Sequence, residues 1–465
     1  MIAATLKGCQ GNGTPWPSFA QMLIVVDSNA LDSAAKAWPS GNKLNGEQNL
    51  KTAQELERHS VLSPNYSRQL ARLLLVLLLA LGVWQSPPET ADAQTSGGIH
   101  FTESLKFQEI SAGIEHGQTS VGYASKDELT GPWFINALTI DLSRTKLKLV
   151  HALDEGVGLE TVSSMATRYR ATAAINGGYF RTTGTYRGES IGLLLLDGKL
   201  ISEPNNDRAE VGLISVGSTT EVVFGHLRFS GQISVGTAKR AVQGLNRPLS
   251  SGELIVFTPE FHRTTLTNPD GIEVVVRRNR VLAVGDLTGS SRIPADGYVI
   301  SALGTARDWV KKHVHKGAKI VLSWRLSPLD PNVGSNEEKQ WRRAYSIVGA
   351  GPQLIKAGKI AITDTQEKMS PTFRTDRHPR TAIAKLQSGK LLLLTVDGRQ
   401  PGVSAGMSLN MLADLLLEFG AVEAINLDGG GSTTMVVGNK LVNRPSDQTG
   451  ERPVSDAILV FSKPN

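Results

Sequence analysis

This chain of 465 residues contains a single cysteine, Cys9. Cys9 precedes a cleavage point that we expect after Ala93, so the mature protein has no cysteine. Disulfide bonds, thiolate catalysis and cysteine-rich metal sites are therefore excluded after export. An exported protein without disulfides fits a bacterial envelope better than an animal extracellular space.

Aromatic residues make up only 6% of the chain, and no lysine and arginine run interleaved with aromatics occurs. The net charge of +6 and the pI near 9.2 favour an anionic partner. The missing basic and aromatic pattern argues against nucleic acid as that partner. Neither a P-loop nor a dinucleotide-binding fingerprint is present, which argues against nucleotide chemistry.

The chain lacks an apolar run of roughly 20 residues, the length that a membrane-spanning helix needs. A shorter run from Leu73 to Trp84 follows basic residues and precedes Ala91-Asp92-Ala93. This order predicts a signal peptide over residues 68–93 and export to the periplasm or the extracellular space. The alternative is that this segment is not cleaved and remains as a membrane anchor. We expect no other attachment to a membrane. Residues 1–67 are then a leader, either an unusual extension or a product of a misplaced start codon.

Residues 94–100 predict a short linker, and residues 101–465 alternate short apolar runs with Gly, Asn and Asp. Together with the 47 glycines, this pattern predicts an α+β fold of hairpin-rich mixed β-sheets with a few packed helices. We expect a single catalytic domain, in which residues 217–324 form an inserted strand-rich subdomain. Helices are expected at Thr161 to Arg170, Ala306 to His315 and Ser408 to Phe419, and hairpin turns at Asp197-Gly198, Ala357-Gly358 and Gly438-Asn439.

The segment from Asn426 to Thr434 reads Asn-Leu-Asp-Gly-Gly-Gly-Ser-Thr-Thr and follows a predicted strand, Val422 to Leu427. Three consecutive glycines cost backbone entropy, so they indicate a sharp turn or a close approach of a ligand. Asp428 then lies at the carboxyl end of a strand, where reactive groups are often placed. A plain turn at the end of the strand is the alternative.

A second segment, Ala173 to Phe180, repeats this theme, because a small apolar strand ends in Asn176-Gly177-Gly178. The two segments together predict a shared cavity in which glycine N–H groups face a phosphate or sugar oxygen. An Asn-Gly hairpin turn is the competing interpretation.

Two further strand ends carry charge. The loop before Arg380 and Thr381 is rich in arginine, and the predicted strand Leu391 to Val396 ends in Asp397-Gly398-Arg399. Arginine at such a position suits phosphate or carboxylate. Asp397 and Asp428 form a candidate carboxylate pair of the kind that cleaves glycosidic bonds. A solvated basic loop and a turn-forming Asp-Gly are the structural alternatives.

Ser404 lies in Gly402-Val-Ser-Ala-Gly406, which matches the nucleophile elbow of serine hydrolases. That fold places its catalytic histidine after the serine, and no histidine follows His378. Ser404 is therefore a loop residue or a substrate contact. We predict no cofactor and assign no metal ligands. The sequence does not decide whether a divalent metal ion binds.

The segments around Asn176, Arg380, Asp397 and Asn426, with Gly406 to Leu409, resemble the phosphodiester glycosidase family in content and order. The resemblance runs from about Trp133 to the end and includes Asn443 to Asp447 and Gly450 to Pro453. It is thin over residues 217–324 and does not reach the leader.

This resemblance implies hydrolysis of a sugar-1-phosphodiester to a free sugar and a phosphomonoester, with a sugar phosphate or anionic glycan as partner. It implies that Arg380 and Arg399 hold the phosphate, while Asp428 or Asp397 stabilises the anomeric centre or activates water. The candidate substrate-binding residues are Asn176, Gly177, Gly178, Thr381, Ser404, Asn426, Gly429, Gly430, Gly431, Ser432 and Thr433. The alternative is a module that binds an envelope glycan without turnover.

Overall fold

The computed structural model of the protein describes residues 101–122 and 131–463. The predicted leader, signal peptide and linker lie outside these residues. Within the described part, no helix is both long and apolar enough to cross a membrane.

Strands dominate this part of the chain. The amino-terminal strands are β1 (Lys106–Ser111), β2 (Ile114–Val121), β3 (Trp133–Ile140), β4 (Thr145–His151), β5 (Ala173–Asn176), β6 (Leu194–Leu196), β7 (Lys199–Ser202), β8 (Ala209–Val216), β9 (Thr219–Val235), β10 (Ala238–Val242), β11 (Gly244–Leu245) and β12 (Leu254–Phe257). The remaining strands are β13 (Ile272–Arg277), β14 (Arg280–Asp286), β15 (Gly297–Ala302), β16 (Ile320–Pro328), β17 (Ala344–Gly349), β18 (Gln353–Lys356), β19 (Lys359–Ile360), β20 (Arg380–Leu386), β21 (Leu391–Val396), β22 (Ala421–Asn426), β23 (Met435–Val437), β24 (Lys440–Leu441) and β25 (Asp456–Ser462).

Four α-helices accompany the described strands: α1 (Val162–Tyr169), α2 (Thr305–His313), α3 (Ser335–Arg343) and α4 (Leu409–Glu418). Three of them lie where the sequence predicts, and side chains cap two of those. Thr161 accepts from the Ser164 N–H ahead of α1, and Ser408 accepts from the Met411 N–H ahead of α4.

Helix α3 was not predicted, because Trp341 is its one buried residue and the segment has no apolar stripe. Its sequence signal is electrostatic instead. Glu337 and Glu338 lie in the first turn, and Arg342 and Arg343 lie in the last, as the helix dipole favours.

The described strands form an eight-stranded sheet in the order β1-β2-β3-β21-β20-β22-β18-β19 and a seven-stranded sheet in which β10-β9-β8-β17-β6-β7 is joined by β16 at β9. Two five-stranded sheets have the orders β24-β23-β5-β25-β4 and β11-β12-β15-β13-β14. Nearly all pairs are antiparallel, and the two-residue pair β11-β12 is parallel. The α+β, largely β class is therefore confirmed. The three predicted turns join β6 to β7, β18 to β19 and β23 to β24 through residues of positive φ.

Buried aliphatic side chains from three sheets share one core, which includes Leu138, Ile175, Val348, Ile425 and Ile458. This packing holds the sheet of β5 and β25 against the sheet of β20 to β22. The sheet of β11 to β15 instead packs with α2 around a core that β9, β10 and β16 also enter. The strand ends of the sheet of β5 and β25 and of the sheet of β20 to β22 meet where the sequence predicts the site.

Candidate active site

Five strand ends converge at this junction. The amino end of β20 and the carboxyl ends of β21 and β22 lie on one edge of the eight-stranded sheet, since Arg380 pairs with Val396 and Ala382 pairs with Asn426. The carboxyl end of β5 lies beside the amino end of β25, where Asn176 pairs with Ala457. Antiparallel pairing thus brings together residues that are up to 280 positions apart in the chain, from Asn176 to Asp456.

Asn176 ties the two glycine-rich segments together. Its side chain is fully buried, and its Nδ2 donates to the Asp428 carbonyl at 2.7 Å. Its Oδ1 accepts from the Thr434 N–H at 3.0 Å and lies 3.0 Å from the Thr381 hydroxyl. The Asp428 N–H donates to the Gly177 carbonyl at 3.0 Å. The Asn-Gly-Gly segment is therefore not a hairpin turn, because it supports the loop that carries Asp428.

Asn426 holds the other side of this loop. Its Nδ2 donates to the Tyr179 hydroxyl and to the Gly351 carbonyl, both at 3.0 Å. Its Oδ1 is buried and has no hydrogen-bond partner among the described residues. The Ser432 hydroxyl is also buried and lies against the Asp428 carboxyl, and Thr433 is buried beside Thr381, with the two hydroxyls 3.3 Å apart. These buried side chains support the loop from within.

The three glycines after Asp428 each accommodate a different neighbour. A Cβ on Gly429 would lie 2.7 Å from the Pro379 carbonyl oxygen, and a Cβ on Gly430 would lie 3.1 Å from the Arg399 guanidinium. A Cβ on Gly431 would overlap the Arg452 guanidinium. Two cations therefore approach this backbone closely, which is the reason for glycine here.

Asp428 is partly exposed at the carboxyl end of β22. Burial raises the pKa of its carboxyl to about 7, while the Ser432 hydroxyl, the Arg452 charge and the Gly429 N–H each act in the opposite direction. A carboxyl with this pKa exchanges protons near neutral pH, as a general acid or base requires.

Arg399 is exposed, and its guanidinium lies against Gly430 and donates through Nη2 to Nδ1 of His378 at 3.2 Å. Because a guanidinium can only donate, this contact assigns His378 the neutral tautomer with its proton on Nε2. Burial, Arg380 and Arg399 all lower the pKa of His378. The structure places His378 at the mouth of the site as the partner of an exposed cation.

Arg380 is buried, unlike Arg399. Its Nε donates to the Met407 carbonyl at 2.9 Å, and its Nη2 donates to the Phe373 and Asp376 carbonyls, both at 2.9 Å. Burial lowers the pKa of Arg380 to about 10, so it stays a cation at neutral pH. These contacts hold the loop that enters β20, so Arg380 acts on the site by positioning and by its charge.

Asp397 is fully buried. One oxygen accepts from Asn443 Nδ2 at 3.1 Å, and the other accepts from the Arg444 N–H at 2.7 Å. Burial raises its pKa to about 6. Asn443 also donates to the Thr433 carbonyl at 2.9 Å, so Asp397 supports the loop after Asp428 from beneath. This geometry favours a structural role over contact with substrate.

Ser404 belongs to the same buried layer. Its hydroxyl donates to the Asp397 carbonyl at 2.6 Å and accepts from the Phe134 N–H at 3.0 Å. With both functions of the hydroxyl used by the backbone, Ser404 is placed as a clamp on the loop after β21 and not as a substrate contact.

Asp456 shapes the site without having been predicted for it. Its Oδ1 accepts from the Gly178 N–H at 2.8 Å, and its backbone carbonyl accepts from the Gly177 N–H at 3.0 Å. A Cβ on Gly177 would overlap this carboxylate, and one on Gly178 would lie 2.6 Å from the Gly349 carbonyl. Both glycines are therefore required by packing, and their N–H groups face Asp456 and not a ligand.

Arg452 was also not predicted as a site residue. It pairs with Asp447 through two hydrogen bonds, at 2.7 and 2.9 Å, and this pair lies beside Gly431. Both residues lie in the motifs that carry the family resemblance. This was the signal in the sequence that could have identified them as site residues. No cluster of three or more His, Cys, Asp or Glu side chains suited to a metal ion occurs among the described residues.

Residues 270–461 match the sequence family described as phosphodiester glycosidase. The chain is 39% identical over 103 residues to the N-acetylglucosamine-1-phosphodiester alpha-N-acetylglucosaminidase of Bos taurus, covering 20% of this chain and 19% of that protein. It is 44% identical over 122 residues to the Homo sapiens protein of the same name, covering 23% of each. The aligned segments thus span less than a quarter of these two relatives.

The fold has solved counterparts. A Burkholderia pseudomallei structure described as an exported protein superposes with a TM-score of 0.67 at 23% identity, over 77% of this chain and 96% of that one. A Synechocystis structure superposes with a TM-score of 0.65 at 26% identity, over 77% of this chain and 64% of that one.

The family match contains Asp428, Arg399, Asn426 and Arg452, while Asn176 joins them through the tertiary fold. Residues 270–461 of this chain are thus similar to the phosphodiester glycosidase family.

Proposed function

We propose that this protein hydrolyses the bond between an anomeric sugar carbon and a phosphodiester oxygen, releasing a free sugar and a phosphomonoester. The observation that carries the proposal is the placement of Asp428, a partly exposed carboxyl of raised pKa, on a glycine loop that contacts two arginines. The similarity to N-acetylglucosamine-1-phosphodiester alpha-N-acetylglucosaminidases supports it.

The guanidinium of Arg399 suits the phosphate side of the bond that breaks, and the carboxylate of Asp428 suits the side of the anomeric carbon. A phosphomonoester is a better leaving group than an alcohol, so the reaction depends less on a strong acid than on a cation that holds the departing phosphate. Arg399 supplies this cation, since its guanidinium is exposed beside Gly430. Arg452 is already paired with Asp447 and acts by its charge near Asp428.

Asp428 then acts at the anomeric carbon. In its ionised form it takes the proton of the attacking water while the bond from carbon to the phosphate oxygen breaks, and the phosphate leaves with the electron pair. Asn426, with its buried Oδ1, and the Ser432 hydroxyl beside Asp428 support the sugar-facing side of this loop. Asn176, Asp397 and Asp456 hold the loops in place beneath them.

The test is release of free sugar and phosphomonoester from a panel of sugar-1-phosphodiesters, beginning with N-acetylglucosamine. Asp428→Asn should lower kcat/KM by about 10²- to 10⁴-fold, as expected for loss of a general base. Asp286→Asn, which changes an exposed carboxylate paired with Arg307 and Lys311, is the matched control and should leave turnover unchanged.

A turnover that survives Asp428→Asn would remove this residue from the mechanism. Absence of turnover on every substrate, with binding retained, would favour the alternative of a glycan-binding module. Export, and an envelope or extracellular glycan as the natural substrate, are part of the proposal and rest on the signal-peptide pattern before Gln94.

A further inference from the structure

A cavity of about 490 Å³ is lined by residues outside the candidate active site. The segment after Tyr179, residues 189–192, forms one wall, residues 202–207 form another, and Phe229 and Arg247 complete it. Its volume is in the range of small-molecule sites. Asp428, Arg399 and Asn426 are not among its lining residues.

Two buried carboxylates line this cavity, and each has a defined cationic partner. Glu189 accepts from Arg181 Nε at 2.9 Å, and Glu203 accepts from Arg247 Nε at 2.5 Å and from the Leu245 N–H at 2.9 Å. Arg247 also makes two hydrogen bonds of 2.9 Å to Glu253. Arg181 and Arg247 are thus neutralised by carboxylates of the same wall. Arg228 also lines the cavity and donates to the Leu329 carbonyl. The four lining carboxylates, Glu189, Glu203, Asp207 and Glu253, outnumber the three lining arginines, so the cavity does not favour a phosphate.

Other polar groups of the wall are without partners. Ser190 lines the cavity and is 5% exposed, and its buried hydroxyl has no hydrogen bond among the described residues. The Asn205 side chain is half-buried beside it and likewise forms no hydrogen bond with the described residues. Half-buried Phe229 adds an apolar surface. Hydroxyl, amide and carboxylate groups next to an aromatic ring match the alternating polar and apolar faces of a sugar.

We propose that this cavity is a second carbohydrate subsite, which binds an uncharged sugar residue through Ser190, Asn205 and the lining carboxylates. The subsite rests on the proposed function only in that a glycan is the expected substrate. It is joined to the catalytic loop by one residue, since the Tyr179 carbonyl accepts from the Ile191 N–H at 2.7 Å and the Tyr179 hydroxyl lies 3.0 Å from Asn426 Nδ2. A neutral sugar bound here positions a longer glycan with its phosphodiester at Asp428.

The test is direct binding of neutral trisaccharides, of glucose and of N-acetylglucosamine, to the full chain by isothermal titration calorimetry. Ser190→Ala should weaken binding about 3- to 10-fold, the effect of one lost hydrogen bond, and Asn205→Trp, which fills the cavity, should abolish it. Ser388→Ala, at an exposed turn, is the matched control and should bind like wild type. Asp428→Asn should also bind like wild type.

The outcomes separate this subsite from the proposed activity. Binding that is lost in Asn205→Trp supports the subsite even if no phosphodiester is turned over. Binding that is unchanged in both cavity variants, or that is lost in Asp428→Asn, overturns it whatever the turnover. A preference for a uronic acid trisaccharide over the neutral ones overturns the assignment of an uncharged sugar.

Discussion

The residues of the site divide by exposure into those that reach a ligand and those that hold the loops. Asp428 and Arg399 have exposed surface, while Asp397, Arg380 and Ser404 are buried and use their polar atoms on the backbone or on Asn443. Chemical type alone does not separate the two groups, because each contains a carboxylate and an arginine. The two groups differ in whether their side chains contact solvent.

The raised pKa of Asp428 predicts the pH dependence of turnover. In the proposed mechanism the ionised carboxylate is the base, so kcat/KM should rise with pH through an apparent pKa near 7 and then level off. Arg452→Gln removes a charge that lowers the pKa of Asp428, so the rising limb should move to higher pH. Initial rates from pH 5 to pH 9 measure both. Arg444→Gln is the control, because its charge acts on Asp397 instead, and an equal displacement there would contradict the assignment.

Asp397→Asn should affect stability more than chemistry. An amide places an N–H₂ group opposite Asn443 Nδ2 or the Arg444 N–H, which leaves a buried donor unsatisfied at about 1–3 kcal/mol. Urea unfolding should show this loss, while kcat of the folded enzyme stays within about tenfold of wild type, against the much larger loss in Asp428→Asn. If turnover falls as far as in Asp428→Asn with stability unchanged, Asp397 is a catalytic residue.

Among the elements, the loop from Asp428 to Thr434 depends on its neighbours for its shape. It follows β22, is fixed to β5 through Asn176 and receives Arg399 from the loop after β21. Each fixed point comes from a different strand, so the loop is rigid although its own residues have low intrinsic structural preference.

Gly430→Ala should weaken substrate binding through Arg399. Gly430 has a φ of +60°, and a Cβ there would lie 3.1 Å from the Arg399 guanidinium. Gly438→Ala is the matched control, since Gly438 has a φ of +53° and nothing lies within 4 Å of its Cβ position. Both variants should lose about 1–2 kcal/mol of unfolding free energy from the left-handed backbone. Only Gly430→Ala should also raise KM, and equal kinetics in the two variants would argue against a phosphate-binding role for Arg399.

At the scale of the whole molecule, buried polar groups join the sheets. Glu367 is fully buried, and its carboxylate accepts from the Ala209 N–H of β8 at 3.1 Å, the Gln353 N–H of β18 at 2.9 Å and His226 of β9 at 3.1 Å. These strands belong to two sheets whose shared core supports the site.

Glu367→Gln should destabilise the fold because one of its two acceptor oxygens becomes a donor that faces N–H groups. The expected loss is about 1–3 kcal/mol or more, since charge-assisted bonds are involved. Glu338→Gln is the surface control, because its pair with Arg342 is exposed and worth at most about 1 kcal/mol. Thermal unfolding compares the two, and equal melting temperatures would show that Glu367 does not hold the sheets together.

The amino-acid sequence by itself determined the local structure. Three helices, three hairpin turns and the strand β21 follow from apolar periodicity, capping residues and glycine-containing turn pairs, because these forces act between residues near in sequence. The motif order also indicated the resemblance to phosphodiester glycosidases and predicted Asp428 and Arg399 at the ends of strands. Helix α3, which has a single buried residue, escaped this reasoning because it has no apolar stripe.

Only the tertiary structure decided the roles of the residues. Asp397 and Asp428 each follow a buried strand and precede glycine, yet the fold encloses the first and leaves the second partly exposed. It also brought Asn176, Asp456 and Arg452 to the loop after β22. Burial, pairing and pKa depend on neighbours outside the local segment, such as Arg452 and Asn176 around Asp428, and chain packing, not local propensity, selects those neighbours.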